Sequence, residues 1–565
     1  MNIIYKLLPI AGLLISIQIL FNYSFLPPTY SSNLSNNAEQ FNGQNAFKIL
    51  KQLMPNDKPH PTGSAANRNM RDRIIAHLKK SNLEPIIQAK KQCSLFSSRC
   101  VAIENIIAIH KGTSNGDALL MVVHYDSKKR APGAGDDMAA VATLLENINQ
   151  LAQASPTKNN VIFLFTDGEE LGMIGATAFA KHHALMKTVG LVANFEARGS
   201  SGPSLLFETG ESSGGAIARF IKYSKTPSGS SLFSEIYDRM SNNTDFTIFK
   251  DMGINGLNFA FTGSPRHYHT ALDNVENLNK NSLQHQGQNQ LDVIKAFGDQ
   301  DLSQYRSTSP QAVDRVFFDV FSVIYLDWST TTSWVLIGII VFVFAYLLIV
   351  AYKNKQVSVG KVIISIPVAL ISIVALVASA YLLKWPLAIW SGLSGLDHAA
   401  PYASRLSLVL STIFIAILTA RIFSSWFNSK ELEFGFWLVV FAMLLFMQIN
   451  AAGTAYFLLV PIFIFVLTRL FMTFFQSQIA QYISNIILLT VCAYFGVSLA
   501  QLMETAVNFD MALVLIIPMF LMLSPLVTML ANSTQTIQKH ALMLSIMSLA
   551  IILPIASFID PNSYG

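Results

Sequence analysis

Charged residues are scarce in this chain: Asp, Glu, Lys and Arg make up 13% of 565 residues, about half the roughly 25% of an ordinary soluble protein. Hydrophobic residues make up 52%. Together these figures exclude a uniformly soluble chain. The formal charge of +5 is modest and no long basic run concentrates it, so nucleic acid is not an expected partner. No internal repeat of 20 to 50 residues recurs, which sets aside a repeat architecture. Cysteine is nearly absent, with three in all. Cys492 lies in an apolar run, whereas Cys93 and Cys100 flank a polar stretch in KQCSLFSSRC. A Cys93–Cys100 disulfide would close a small loop and needs an oxidising compartment; two free thiols are the alternative.

What is abundant is apolar sequence, and it is clustered. A run over 7–26 follows Lys6. We read it as a retained membrane anchor; a cleaved signal peptide is the competing reading, but no clear A-x-A site follows. Residues 27–42 are rich in Ser and Asn and read as a linker. After Ser333 eight spans are expected, at about 334–352, 362–383, 406–423, 434–450, 452–470, 483–503, 511–530 and 541–559, most near the ~20 residues that cross a bilayer. The expected domains are therefore an anchor and linker start over 1–30, a soluble-type domain over 31–325 and an all-α transmembrane bundle over 326–565, with about nine spans in total.

Charge placement sets the expected topology. With the N-terminus in the cytoplasm, the cytoplasmic loops hold Lys353, Lys355, Lys361, Lys430 and Lys539, with Arg421 and Arg469 at span ends. The opposite loops hold Asp397, Glu504 and Asp510, with Lys384 and Arg405 at span edges. This obeys the positive-inside rule and leaves residues 27–332 extracytoplasmic, in a periplasm or outside the cell, or in the endoplasmic reticulum lumen of a eukaryote. The interiors of these spans contain no Asp, Glu or His, which argues against a proton-coupled transporter. A scaffold, a substrate-delivery groove and a partner-binding surface stay open for the membrane half.

The segment 31–325 alternates strand-like and helix-like stretches. Residues 103–110, 118–124, 161–166, 189–195 and 254–261 read as short buried strands, and 139–153 and 174–183 as helices. Such alternation predicts an α/β sandwich, a mostly parallel sheet flanked by helices. Ligands of such sheets bind beyond the carboxyl ends of the strands. The metal-type residues fall at those ends: HYD at 124–126, GAGDD at 133–137, DGEE at 167–170, NFEARG at 194–199 and YHT at 268–270. Each piece alone reads as a loop, a helix cap or a solvated face. Five at successive strand ends read as one site.

Imidazoles and carboxylates are the zinc ligands expected outside thiolate sites. Asp136, on a Gly-rich turn, is suited to bridge two ions; His124 and Glu196 can complete one, Glu170 and His269 the other. Asp126 is spaced to hydrogen-bond the back of His124. Glu169 is left over as a general base for a metal-bound water.

The order and spacing of these motifs resemble the aminopeptidase Y-type family of co-catalytic zinc peptidases, over roughly residues 40–300. The segment 60–78 is similar to that family's N-terminal helix region. Glu at position 196 rather than Asp, the N-terminal run and the multi-span half resemble its endoplasmic-reticulum metallopeptidase (Felix-ina-like) branch and prokaryotic relatives. The resemblance implies two Zn2+ per chain held by His124, Asp136, Glu170, Glu196 and His269. It also implies Glu169 as base, a cis Asp136–Asp137 peptide, and peptide or protein N-termini as substrate. Met138-Ala139-Ala140 stands where the family often has Ser-Gly.

Around this set Arg198 is a candidate for a substrate carboxylate or a structural ion pair, and Tyr268 for an oxyanion contact or packing. Asp245 and Asp273 read as caps or loop braces and His267 as a loop residue. Carboxypeptidase or dipeptidase action stays open. So do two rivals on the same fold: a glutaminyl-cyclase-like one-zinc acyltransferase and a catalytically inactive membrane scaffold.

Overall fold

The computed structural model describes residues 40–305, 314–391, 401–507, 518–533 and 535–558, with isolated positions before residue 28. It forms two compact units, Phe25–Thr330 and a second made of Met1–Ser24 with Thr331–Gly565. The expected anchor over 7–26 lies almost wholly outside the described residues.

In the first unit, helices α1 (Gly43–Leu53) and α2 (Ala65–Lys80) begin at side-chain caps. Asn42 accepts from the Asn45 amide and Ser64 from the Asn67 amide, each satisfying an otherwise orphaned helix N–H. Strands β1 (Ile86–Cys93) and β2 (Cys100–His110) form an antiparallel hairpin, closed at its tip by a Cys93–Cys100 disulfide. Then follow β3 (Ala118–His124), α3 (Ala140–Leu151), β4 (Val161–Thr166), α4 (Ile174–His182) and β5 (Val189–Ala197). After them come β6 (Leu205–Thr209), α5 (Gly214–Tyr223), α6 (Ser231–Tyr237), α7 (Asp245–Asp251), β7 (Gly256–Phe261) and α8 (Lys280–Phe297). A separate antiparallel pair, β8 (Arg315–Val320) and β9 (Ile324–Ser329), ends the unit.

The main sheet runs β1-β2-β4-β3-β5-β7-β6. Its four central strands, β4, β3, β5 and β7, are parallel, and antiparallel strands close both edges. Every residue of β3, β4, β5 and β7 is buried. That explains their unbroken apolar runs, since a parallel sheet covered on both faces has no solvent side. Alternation along β3 divides the core. Leu119, Met121 and Val123 join the cluster that includes residues of α1, α3 and α8. Leu120 and Val122 join the cluster that includes residues of α4 and α7. Because the central strands are parallel, their carboxyl ends, at His124, Thr166, Ala197 and Phe261, share one edge.

In the second unit six helices among the described residues are long and apolar enough to cross a membrane: Thr330–Lys353, Val359–Leu383, Leu406–Phe423, Ser429–Asn450, Tyr456–Phe474 and Gln478–Gln501. They belong to helices α9 (Thr330–Lys353), α10 (Val359–Ser391), α11 (Pro401–Phe423), α12 (Ser429–Asn450), α13 (Tyr456–Phe474) and α14 (Gln478–Val507). The link between the spans expected at 434–450 and 452–470 is a single turn, Ala452–Thr454. Helix α15 (Phe520–Ala531) is short and α16 (Gln535–Phe558) follows it; residues 511–517 of the seventh expected span lie outside the described residues. Helix α12 starts earlier than the apolar run suggests, because Asn428 and Glu431 form a reciprocal capping box. The added turn brings in Glu433, which Arg469 of α13 neutralises (Nε–Oε1 2.9 Å).

Candidate metal centre

The edge where the parallel strands end collects the sequence motifs. His124 is the last residue of β3 and Glu196 the penultimate residue of β5. Glu169 and Glu170 lie on the turn after β4, Asp136 and Asp137 on the turn before α3, and His269 in the loop after β7. His124 Nε2 lies 3.1 Å from Asp136 Oδ1 and 3.5 Å from Glu196 Oε2. His269 Nε2 lies 3.2 Å from Asp136 Oδ2 and 3.3 Å from Glu170 Oε1. Asp136 therefore turns one carboxylate oxygen toward each histidine. The Asp136–Asp137 peptide is cis.

The surrounding turns fix this geometry through backbone amides. The Asp273 carboxylate accepts from the Gly135 amide (2.6 Å) and the Asp136 amide (3.2 Å). Position 135 admits no side chain, since a Cβ there would meet the Gly199 carbonyl oxygen at 2.3 Å. Asp126 behaves differently from the sequence expectation. Its backbone carbonyl, not its carboxylate, is the close partner of His124 Nδ1 (3.0 Å); Oδ1 is 3.6 Å away. The carboxylate instead accepts from the amides of Glu169 (3.0 Å) and Glu170 (3.3 Å) and from Thr62 Oγ1 (3.0 Å). One residue thus orients both the β3 histidine and the turn with the two glutamates. Glu196 is held by Asn194, which donates to Oε1 (3.3 Å) and to Asn258 Oδ1 (3.0 Å).

The electrostatics show carboxylates crowded at this edge. Burial, then Glu196 and Glu170, push the Glu169 carboxyl well up, and burial, then Asp136, raises Glu170. Burial alone would lower both histidines. The carboxylates outweigh it, holding His124 well above its usual range and His269 at about 9. The same histidines overcome the burial of Asp136 and hold it well below the usual carboxylate range. Acids pushed up beside imidazoles pushed up mark a place where a cation is stabilised.

The donor set fits zinc. His124 Nδ1 donates to a carbonyl, so in the neutral tautomer Nε2 is a bare lone pair facing two carboxylates, an arrangement that calls for a cation between them. Glu170 Oε1, His269 Nε2 and Asp137 Oδ1 are buried without hydrogen-bond partners, although such atoms are nearly always satisfied. Two groups of ligand atoms lie close enough to hold an ion: His124, Asp137 and Glu196, and Asp136, Glu170 and His269. Neutral imidazole and carboxylate are borderline-hard donors suited to Zn2+.

The sequence reading missed Asp137 as a donor. Its Oδ2 accepts from the His124 amide (3.3 Å) and its Oδ1 faces the site unpaired; the doubled Asp was the available signal. Lys128 was missed too. Its ammonium pairs with Glu170 Oε2 and donates to the Glu170 carbonyl (2.9 Å). Of the substrate candidates, the Tyr268 ring stacks on the His269 imidazole, with centroids 3.6 Å apart, and the Arg198 guanidinium lies 6.0 Å from the Tyr268 ring centre. His267 Nδ1 is 2.5 Å from Ser200 Oγ, and Asp245 pairs with Thr166 Oγ1. Cys93 and Cys100 lie away from the metal-type residues, but their loop touches the glutamate turn: Ser94 Oγ donates to the Gly172 carbonyl (2.9 Å).

Residues 105–294 match peptidase family M28. The chain is 27% identical over 415 residues to the vacuolar membrane protease of Candida dubliniensis, covering 68% of this chain and 42% of that protein. It is 29% identical over 247 residues to the endoplasmic reticulum metallopeptidase 1 of Mus musculus, covering 42% of this chain and 26% of that protein. The chain thus spans less than half the length of these curated relatives. Among solved structures, a glutaminyl cyclase from an Acidobacteriales bacterium superposes with a TM-score of 0.39 at 17% identity, over 48% of this chain and 99% of that one. Among the described residues six helices are long and apolar enough to cross a membrane, and residues 105–294 match a family domain: this membrane protein carries a peptidase family M28 domain.

Proposed function

We propose that the chain is a membrane-bound, two-zinc aminopeptidase that removes residues from the N-termini of peptides. The observation that carries this reading is the shared carboxylate of Asp136, with one oxygen toward His124 and the other toward His269. His124, Asp137 and Glu196 would hold one zinc, with Asp136 reaching it through Oδ1, and Asp136, Glu170 and His269 the other. Bound zinc supplies Lewis-acid polarisation of a carbonyl and lowers the pKa of water.

The chain's own residues do the rest. Asp126 pins the amides of Glu169 and Glu170, so one glutamate serves as ligand while its neighbour is free to carry a proton. Glu169 takes that proton from the attacking water and returns it to the leaving amine. Tyr268, stacked on His269, and Arg198 beside it form the rim a peptide would meet. The disulfide supports placing this unit in an oxidising, extracytoplasmic compartment, and the lysine-rich loops support a cytoplasmic N-terminus.

The test is cleavage of a varied peptide set by the full-length protein in detergent, read by mass spectrometry beside Glu169→Gln and a chelated control. Stepwise loss of N-terminal residues, absent for N-acetylated peptides and in both controls, is expected. Cleavage of N-acetylated peptides from the carboxyl end would replace the aminopeptidase reading. Ammonia loss from N-terminal Gln without chain cleavage would replace it with a cyclase.

A further inference from the structure

One end of the membrane unit carries charge that nothing in the peptidase chemistry uses. Helix α9 ends at Lys353, α10 and α12 begin at Val359 and Ser429, α13 ends at Phe474, α14 begins at Gln478 and α15 ends at Ala531, and these helix ends meet there. Two cavities open between them and share Gln356. One, of about 510 Å³, is lined by Tyr352, Lys353, Lys355, Lys361 and Glu431. The other, of about 360 Å³, is lined by Lys430, Glu433 and Arg469 and, on its apolar side, by Leu347, Val350 and Phe434.

Both acids in these cavities already have structural partners. Glu431 accepts from the amides of Ser358 and Asn428 (both 3.0 Å). Glu433 pairs with Arg469. Lys353, Lys355, Lys361 and Lys430 form no ion pair among the described residues; Lys430 reaches only the Gln356 side-chain carbonyl (2.6 Å). Four cations are therefore left around a paired-off acid set, beside apolar helix surface. Tyr352 and Trp426 stand 58% and 66% exposed at the same end, where amphipathic aromatics mark the headgroup level of a bilayer.

We propose that these adjoining cavities bind an anionic phospholipid, its phosphate among Lys353, Lys355, Lys361 and Lys430 and its acyl chain along Leu347, Val350 and Phe434. The shared chemistry is a phosphate anion. The apolar wall favours its lipid-borne form over a soluble one, and basic pockets between transmembrane helices recognise such headgroups.

The test is native mass spectrometry of the full-length protein in detergent, with dioleoylphosphatidylglycerol, dioleoylphosphatidylcholine or inorganic phosphate added. Retention of the anionic lipid is expected at concentrations where the zwitterionic lipid is lost. A Lys353→Gln/Lys355→Gln/Lys361→Gln variant should bind it on the order of a hundredfold more weakly. These side chains are exposed, and an unchanged unfolding midpoint in phosphatidylcholine checks the variant's fold. If that midpoint falls, Lys430→Gln alone is read in the same way. Equal retention of both lipids, or wild-type retention in the folded variants, overturns the proposal. So does displacement of the lipid by millimolar inorganic phosphate, which would assign the cavities to a soluble anion.

Discussion

Asp273 and Glu169 are the residues where the account is most exposed. Glu169→Gln keeps shape and leaves the ligand set intact, so bound zinc should stay unchanged while the rate of peptide cleavage falls about 100- to 10,000-fold, the range for loss of a general base. Asp273 touches no candidate ligand side chain, yet it holds the amides of Gly135 and Asp136. Asp273→Ala should therefore weaken zinc binding about 10- to 100-fold, measured by competition with a calibrated chelator. Zinc affinity at the wild-type level would show that the Asp136 turn holds itself. His285 gives a test independent of the site. It is buried in α8, accepts from the Ser204 amide at Nδ1 (3.0 Å) and donates from Nε2 to the Thr226 carbonyl (2.8 Å). Burial lowers its pKa from 6.5 to about 4, with the Thr226 carbonyl opposing. A depressed histidine contributes stability that is fully present above pH 6.5 and is lost as pH falls toward 4, because the unfolded state then binds the extra proton. The stability difference between wild type and His285→Gln should shrink by about 3 kcal/mol over that window. Denaturant unfolding at pH 7.5 and 4.5 would read it, and a pH-independent difference would contradict the assigned neutral state.

At the scale of elements, α8 shows where sequence reading stops. Its sequence, KNSLQHQGQNQLDVIKAF, is mostly polar, and no element is expected there from the sequence. In the structure nearly all of it is buried, and distant backbone carbonyls satisfy its side-chain amides: Gln284 donates to Phe41 (2.9 Å), Asn289 to Ser204 (3.0 Å) and Gln290 to Ala140 at the start of α3 (3.2 Å). Buried polar side chains with nonlocal partners carry no periodic signal. The packing is close enough that a Cβ on Gly287 would meet the Phe41 ring at 2.2 Å. Gly287→Ala should therefore destabilise the first unit by about 1–3 kcal/mol, although Ala favours helix. A midpoint at or above wild type would show that Phe41 moves aside. The central strands were legible for the opposite reason: β3, β4, β5 and β7 are buried on both faces and read as unbroken apolar runs. The strand-end residues His124, Asp136, Glu170, Glu196 and His269 were legible because a parallel sheet must gather them. Edge strands β1 and β6 were not, since β1 (IIQAKKQC) has no buried residue and so no apolar pattern of one face, and β6 has only five residues.

For the whole molecule, the two units should respond separately to metal. Ions that bind only the folded site add RT ln(1 + [L]/Kd), about 4 kcal/mol at a thousandfold excess over Kd. All candidate ligands lie within Phe25–Thr330. Chelation should then lower the unfolding midpoint of that unit and leave the transition of the membrane helices in place. Hydrogen exchange of the full-length protein with and without chelator would check this, and equal loosening of both units would contradict it.

The central claim is that Asp136 holds two ions at once, and metal stoichiometry tests it most directly. Inductively coupled plasma mass spectrometry of the purified full-length protein should find two zinc ions per chain, and Asp136→Ala should lose both while His269→Ala loses one. No bound zinc in the wild type, or a full complement retained by Asp136→Ala, would contradict the account.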